Sequence, residues 1–241
     1  MSVILAARGL TKRYGDMVVV NDVSFEVPEG AVMSLIGPNG AGKSTIFNLL
    51  TGYTPLNAGT VEFAGRRLDG MATHRIAALG IARAFQIARP FRGLSVRDNI
   101  RVGALYGKSG ARDVDASIDL ALRLANMADL AEQPAATLTI GQLRKLELAR
   151  AIATRPALLL ADEPLAGLVP AESDEILASF RAMVGHGMTI LLVEHDMPAV
   201  MRISDRVVVL DAGQLIADGT PETVARDPRV IEAYLGQEIP A

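Results

Sequence analysis

The sequence predicts an α/β fold whose core is a mostly parallel sheet covered by helices on both faces. Short apolar runs typical of buried strands recur along the 241 residues, and stretches with the period of a helix lie between them. A glycine-rich loop joins the first of these runs to a helical stretch. The runs occupy residues 31–36, 158–161, 189–193 and 206–210.

The composition excludes several classes of protein. The chain is 50% apolar, has a net charge of −3 and contains no cysteine. We therefore expect no disulfide, no thiolate metal site and no broad basic surface for nucleic acid. Its three histidines, His74, His186 and His195, show no zinc-binding spacing. No apolar run approaches the roughly 18 residues of a membrane span, and the N-terminus lacks the basic region of a signal peptide.

The first 30 or so residues are predicted to form β-structure. Short β-like runs lie at residues 5–7 and 23–27, with turns at residues 14–16 and 28–30. A further strand is expected at residues 59–65, again between turns.

The glycine-rich loop has the pattern G-x-x-x-x-G-K-S between a strand and a helix, which is typical of a P-loop NTPase. Its glycines let backbone N–H groups point inward, and the helix that starts at Lys43 directs its positive end at the same anion. Lys43 is expected to neutralise the β- and γ-phosphates, and the Ser44 hydroxyl to bind Mg²⁺. The residues expected to bind nucleotide here are Gly37, Pro38, Asn39, Gly40, Ala41, Gly42, Lys43, Ser44 and Thr45.

A helical pattern extends from about residue 90 to residue 154. Ile118, Leu122 and Ala125 recur at helical spacing, which indicates a packed helical core. Near the C-terminal end, Thr220 precedes a proline and is expected to cap a short helix.

Two acidic residues, Asp162 and Glu163, follow the apolar run at residues 158–161. A buried strand holds such residues rigidly at the sheet edge where α/β proteins bind ligands. Asp162 is expected to hold Mg²⁺ through its water shell, and Glu163 to polarise the water that attacks the γ-phosphate.

The segment 138–142 precedes a predicted helix. Thr139 is expected to be the N-cap, and Gly141 lets the phosphate of another molecule approach the helix N-terminus. Taken alone, the segment is a weak signal, because a capped helix start is its ordinary explanation.

Together and in this order, the motifs resemble the nucleotide-binding subunit of an ABC transporter over essentially the whole chain. The resemblance implies that Tyr14 stacks on adenine, that Gln86 senses Mg²⁺ and the membrane partner, and that His195 contacts the γ-phosphate. Segment 138–142 matches the family's signature motif, and residues 166–168 match its D-loop. The signature residues implied to bind nucleotide are Thr139, Gly141 and Gln142.

The same resemblance implies a single ABC ATPase domain over residues 1–241. Residues 1–86 and 156–241 would form the nucleotide-binding core with an N-terminal antiparallel β subdomain. Residues 87–155 would form an inserted helical subdomain that carries the signature.

The resemblance also implies the mechanism and the partners. Two such subunits face head to tail and enclose two ATP molecules with Mg²⁺, each between the P-loop of one chain and the signature of the other. Glu163, His195 and Lys43 are the implied catalytic residues. The partners are transmembrane permease subunits, which dock near Phe91, and indirectly a solute-binding protein, but no nucleic acid. The chain would lie peripherally on the cytoplasmic face of the inner (plasma) membrane.

Several stretches are similar to the branched-chain amino acid class of bacterial importers, which predicts uptake of these or related amino acids. Importers of urea and of aromatic acids, and the lipopolysaccharide-exporting ATPase, share much of the pattern and remain alternatives. So do a soluble ABC ATPase and a weakly hydrolysing regulatory subunit. The stretches are residues 36–48, 80–86, 91–96, 194–197 and 230–236.

Three residues depart from the family pattern. Thr139 replaces the signature serine and adds a methyl group, and Ile140 brings β-branched bulk where the family has glycine, or tyrosine in near relatives. Val169 stands where the D-loop usually has Asp or Asn, so no polar side-chain atom is present there. We expect these changes to lower hydrolysis or to mark a subunit with a non-identical partner.

Overall fold

The computed structural model describes residues 2–85, 89–107 and 113–235. Internal contacts divide the chain into two compact units, one of Met1–Ile76 with Leu191–Ala241 and one of Ala77–Ile190. The predicted helical subdomain lies within the second unit, and its boundaries at residues 87 and 155 stay a prediction.

Strands and helices follow the predicted order along the chain. In chain order the elements are β1 (Val3–Tyr14), β2 (Met17–Pro28), β3 (Val32–Ile36), α1 (Lys43–Leu50), β4 (Ala58–Phe63), β5 (Arg66–Arg67), α2 (Thr73–Leu79), β6 (Ile81–Ala84), α3 (Val96–Tyr106), α4 (Val114–Leu124), α5 (Ile140–Ala153), β7 (Leu158–Asp162), α6 (Pro170–Gly185), β8 (Thr189–Val193), α7 (Met197–Ile203), β9 (Arg206–Asp211), β10 (Gln214–Gly219), α8 (Pro221–Val224) and α9 (Pro228–Leu235).

The predicted N-terminal antiparallel sheet is confirmed, with the order β2-β1-β4-β5. The two short runs expected from the sequence are parts of strands of 12 residues, because pairing across several register shifts continues the backbone hydrogen bonds beyond the apolar residues. β4 ends at Phe63, earlier than predicted, because Ala64 and Gly65 adopt the positive φ angles of a turn.

The parallel pairing predicted for the core is confirmed in each unit. In the first unit β3 pairs in parallel with β9, and β10 adds antiparallel to β9. In the second unit β6 pairs in parallel with β7. Every residue of β3 and β7 is buried, as expected for strands covered on both faces.

The helices of the second unit form a packed core as predicted. Ile118, Leu122 and Ala125 are buried, and α3, α4 and α5 pack on one another. In the first unit, the predicted cap at Thr220 is confirmed, since its hydroxyl accepts a hydrogen bond from the Thr223 N–H at the start of α8.

Candidate functional site

The glycine-rich loop closes around Lys43 at the end of β3. The ammonium group of Lys43 is buried and donates hydrogen bonds to Gly37 O at 2.7 Å and to Pro38 O at 2.9 Å. Gly37 has a φ of 149°, and a Cβ there would lie 2.1 Å from Leu210 O in β9. A glycine is therefore required where the loop leaves the sheet, and the loop holds the lysine at its centre.

The loop fits a polyphosphate. α1 begins at Lys43, and its N-cap, Gly42, supplies no side-chain hydrogen bond to the first turn. The N–H groups of that turn therefore suit an anionic ligand, and the helix dipole has the right sign for one. Ser44 is exposed and Thr45 half-buried, so both hydroxyls are accessible at the same helix end.

α9, near the C-terminal end of the chain, contacts the start of this loop through Tyr234. Tyr234 packs against the apolar cluster that contains Ile36 and Val209. Burial raises the pKa of Tyr234 to about 12, opposed by a hydrogen bond from the Gly37 N–H to its hydroxyl. Sequence analysis missed this contact, because nothing in the pattern around residue 234 indicates its distant partner.

Two further predicted residues of the first unit are accessible at element ends. Tyr14 ends β1, is 48% exposed, and has the Lys12 ammonium 5.0 Å from its ring centroid. His195 is exposed after β8, and its N–H donates to the buried carboxylate of Glu194 at 3.0 Å. Gln86 lies outside the described residues, so its predicted role stays a prediction.

Asp162 and Glu163 lie at the end of β7 in the second unit, as predicted. Asp162 is buried and pairs with the guanidinium of Arg83 in β6, with 2.5 Å between Oδ2 and the nitrogen. Glu163 has a φ of 47°, which turns the chain sharply at the strand end. Sequence analysis missed Arg83, although a charge within the short apolar strand β6 is a signal for a buried counter-charge.

Replacing Arg83 with Ala is expected to lower the free energy of unfolding by about 3 kcal/mol or more, because it leaves the Asp162 carboxylate uncompensated. The side chains of this pair are only 10% and 8% exposed. Arg67→Ala is the control, since Arg67 is 70% exposed beside Asp69 and its loss should cost at most about 1 kcal/mol. Urea denaturation measures both, and equal losses would contradict the prediction.

The signature segment, residues 138–142, forms the start of α5. Thr139 is the N-cap, as predicted: its hydroxyl accepts from the Gln142 N–H at 3.2 Å, and the Gln142 side-chain oxygen accepts from the Thr139 N–H at 2.9 Å. Ile140 is 67% exposed and Val169, in the loop before α6, is 57% exposed. Two of the three departures from the family pattern are therefore apolar side chains that face solvent in this chain.

The described part of the segment after Gln86 is held by residues that sequence analysis missed. Asn99 accepts from the Phe91 N–H at 2.8 Å and donates to Phe91 O at 3.1 Å. Arg150 donates to Arg89 O at 3.1 Å and lies over the Phe91 ring at 5.4 Å. Burial raises the pKa of Glu147, opposed by Arg150 and by a hydrogen bond from the Phe85 N–H.

Neither a metal cluster nor a membrane-spanning helix is found in the part of the chain that the structure describes. No group of three or more His, Cys, Asp or Glu side chains among residues 2–85, 89–107 and 113–235 is arranged to hold a metal ion. Within those residues, no helix is long and apolar enough to cross a bilayer.

Comparison with protein families gives two matches. The model of the ABC transporter family matches residues 20–166. A second model, described as branched-chain amino acid ATP-binding cassette transporter, matches residues 214–239. The second match contains α9 and Tyr234.

Two curated relatives match almost the whole chain. BraF, a high-affinity branched-chain amino acid transport ATP-binding protein of Pseudomonas aeruginosa, is 40% identical over 250 residues, covering 97% of this chain and 98% of the relative. LivG of Salmonella typhimurium, which carries the same description, is 41% identical over 252 residues with the same coverage.

Solved structures show the same fold. A nucleotide-free ATP-binding cassette from an ABC transporter superposes with a TM-score of 0.88 at 28% identity, covering 98% of this chain and 100% of that one. An ADP conformation of an ATP-binding cassette matches with the same TM-score, identity and coverage.

Proposed function

The chain belongs to the ATP-binding subunits of the ABC transporter family, and we propose that it powers the uptake of branched-chain or related amino acids through a partner permease. As a member of this family it binds nucleotide and hydrolyses ATP. The observation that carries the choice of solute is the match of residues 214–239 to the branched-chain amino acid class, together with 40% identity to BraF.

We assign phosphate binding to the P-loop residues, and metal binding and activation of water to the acids at the end of β7. Lys43, held by two loop carbonyls, neutralises the β- and γ-phosphates, and the N–H groups of α1 bind them. Ser44, Asp162 and Gln86 are the residues that would hold Mg²⁺, which would supply positive charge against the phosphates. Glu163 orients and deprotonates the attacking water, and His195 donates to the γ-phosphate. Tyr14 stacks on the adenine.

The signature segment serves the nucleotide of a second, like subunit. The Thr139 hydroxyl already accepts a hydrogen bond from the Gln142 N–H, so its proton is left to donate to a phosphate oxygen. Gly141 adds no side chain of its own at the helix start, and the Glu172 carboxylate fills the space that its Cβ would occupy. This arrangement explains why one chain carries both a P-loop and a capped helix of this kind.

The permease docks beside Phe91. The Phe91 ring is 47% exposed although its backbone is held at both N–H and carbonyl by Asn99. A rigid backbone that presents an exposed aromatic ring suits a protein contact. We place the chain on the cytoplasmic face of the inner membrane through this contact, with a solute-binding protein acting on the permease from the other side.

Expression with and without cognate permease subunits tests this proposal. The expected results are membrane association that depends on the permease and MgATP-dependent uptake of radiolabelled leucine into vesicles. Fully soluble protein in the presence of the permease would favour the soluble ATPase. Association without uptake of leucine, but with lipopolysaccharide release, would favour the export subunit.

Val169→Asp is expected to raise both stability and ATPase activity. Val169 is the N-cap of α6, and an aspartate there would cap the helix and add about 1 kcal/mol to the free energy of unfolding. The aspartate would also restore a polar atom toward the second subunit, which should raise the turnover of the assembled complex several-fold. Chemical denaturation and phosphate release measure the two effects.

Val169→Ala is the matched control, because it changes the side chain without adding a polar atom. A gain in stability without a gain in turnover would show that residue 169 does not limit hydrolysis.

A further inference from the structure

Glu172 links the starts of two helices in the second unit. It is the third residue of α6, and its Oε2 accepts a hydrogen bond from the Val169 N–H at 3.3 Å. The same carboxylate packs on Gly141, the second residue of α5. A Cβ added to Gly141 would lie 2.2 Å from Glu172 Oε1 and 2.6 Å from Glu172 Cδ. The buried Gly141 is thus in direct contact with the group that caps α6.

Val169 cannot cap α6 itself. Its side chain has no acceptor for the N–H groups of the first turn, so the half of the capping box that remains is the bond from the Val169 N–H to the Glu172 carboxylate. The carboxylate therefore fixes the point at which the D-loop segment, residues 166–169, enters the helix.

Two other side-chain contacts join α5 to α6 and to the loop before α6. Lys145 forms an ion pair with Glu175, one turn further along each helix, and this bond lowers the pKa of Glu175. Arg144 reaches Ala166 O at 3.5 Å. The first two turns of α5 and α6 and the loop before α6 are thus linked as one block, with Glu172 at the end nearest the signature segment.

The block continues to the residue proposed to activate water. The Ala166 N–H donates to Glu163 O at 3.3 Å, which connects the D-loop segment to the end of β7. A displacement of the signature segment would therefore act on Glu163 through Gly141, Glu172 and the D-loop segment.

We propose that Glu172 is a positioning residue, which holds the signature and D-loop segments of one chain in a fixed relation and so transmits engagement of the signature by a second chain to Glu163. The proposal rests on the proposed function, since it assumes that the signature segment binds the nucleotide of a second subunit.

A double-mutant cycle on the purified full-length chain without nucleotide tests the contact itself. Gly141→Ala is expected to lower Tm by roughly 2–4 °C, because the added methyl group displaces the flexible end of Glu172 and so breaks its bond with the Val169 N–H. In a Glu172→Ala background the same change should lower Tm by less than about a third of that amount. Asp174→Ala is the matched background, since it removes an exposed acid from the same helix. An unchanged shift in the Glu172→Ala background would overturn the proposal.

Steady-state hydrolysis of MgATP tests the transmission. Glu172→Ala is expected to lower kcat roughly 3–10-fold with KM for ATP unchanged, because the P-loop is untouched. Glu172→Gln, which keeps an oxygen acceptor for the Val169 N–H, should stay within about twofold of the original kcat. Wild-type kcat in Glu172→Ala would overturn the positioning role even where the stability cycle shows coupling. A wild-type chain that neither binds nor hydrolyses ATP would instead refute the proposed function, and the stability cycle would still report on the contact.

Discussion

Glu163→Gln is expected to lower the rate of ATP hydrolysis by about 10²–10⁴-fold while MgATP binding is retained. Glutamine keeps the size of the side chain but cannot accept the proton of the attacking water. The substitution leaves the main-chain contact between Glu163 O and the Ala166 N–H intact, and glutamine follows the same backbone path at φ 47° as glutamate does. Phosphate release measures the rate, and equilibrium binding of a fluorescent ATP analogue measures affinity.

The same variant reports on the partner subunit. Slowed hydrolysis should trap a closed dimer, so the mass in solution is expected to double on addition of MgATP. Asp174→Asn is the control, because it neutralises an exposed acid in the same unit without touching the end of β7. A rate within about tenfold of the original would refute the assignment of Glu163 as the base. A monomer that still binds ATP would show that a different ATPase subunit completes the site.

The local elements of this fold were predictable because each has its signal within a few residues. The P-loop has a fixed spacing, and β3, β7 and β8 are short, mostly apolar runs that lie within one residue of their predicted bounds. Thr139 and Thr220 are caps in the structure because each precedes a helix with the side chain that capping requires.

Contacts between distant segments were not predictable, because the residues involved have an ordinary local explanation. Arg83 resembles a surface charge until β6 and β7 pair in parallel and bring Asp162 beside it. Glu172 resembles a favourable acid in the first turn of a helix, and only the packing of α5 shows that Gly141 lies against it. Segment bounds in the N-terminal sheet were also missed, because backbone pairing rather than side-chain pattern extends β1 and β2.

Lys43→Ala is expected to abolish the stabilisation of the protein by MgATP. In this structure the ammonium group donates to two loop carbonyls, so its removal takes away both the cation that meets the phosphates and the bonds that shape the loop. A charge-assisted hydrogen bond of this kind contributes about 1.5–3 kcal/mol, which corresponds to at least a tenfold weaker ATP affinity for each phosphate that the lysine meets. Because the lysine is proposed to meet both the β- and the γ-phosphate, the increase in Tm caused by millimolar MgATP should disappear.

Lys12→Ala separates these two effects. Lys12 is also buried in the first unit and donates to a backbone carbonyl, Pro55 O, at 2.9 Å. Both variants should therefore lower Tm without nucleotide by similar amounts, since each leaves at least one carbonyl without its donor. Only Lys43→Ala should lose the increase in Tm with MgATP. Lys12→Ala should keep most of it, since the Lys12 ammonium lies 5.0 Å from the Tyr14 ring, which is proposed to stack on adenine, and is not proposed to meet a phosphate. If both variants retain the increase, phosphate binding in this chain depends on the backbone N–H groups of α1 rather than on the lysine, and the helix start becomes the principal anion site.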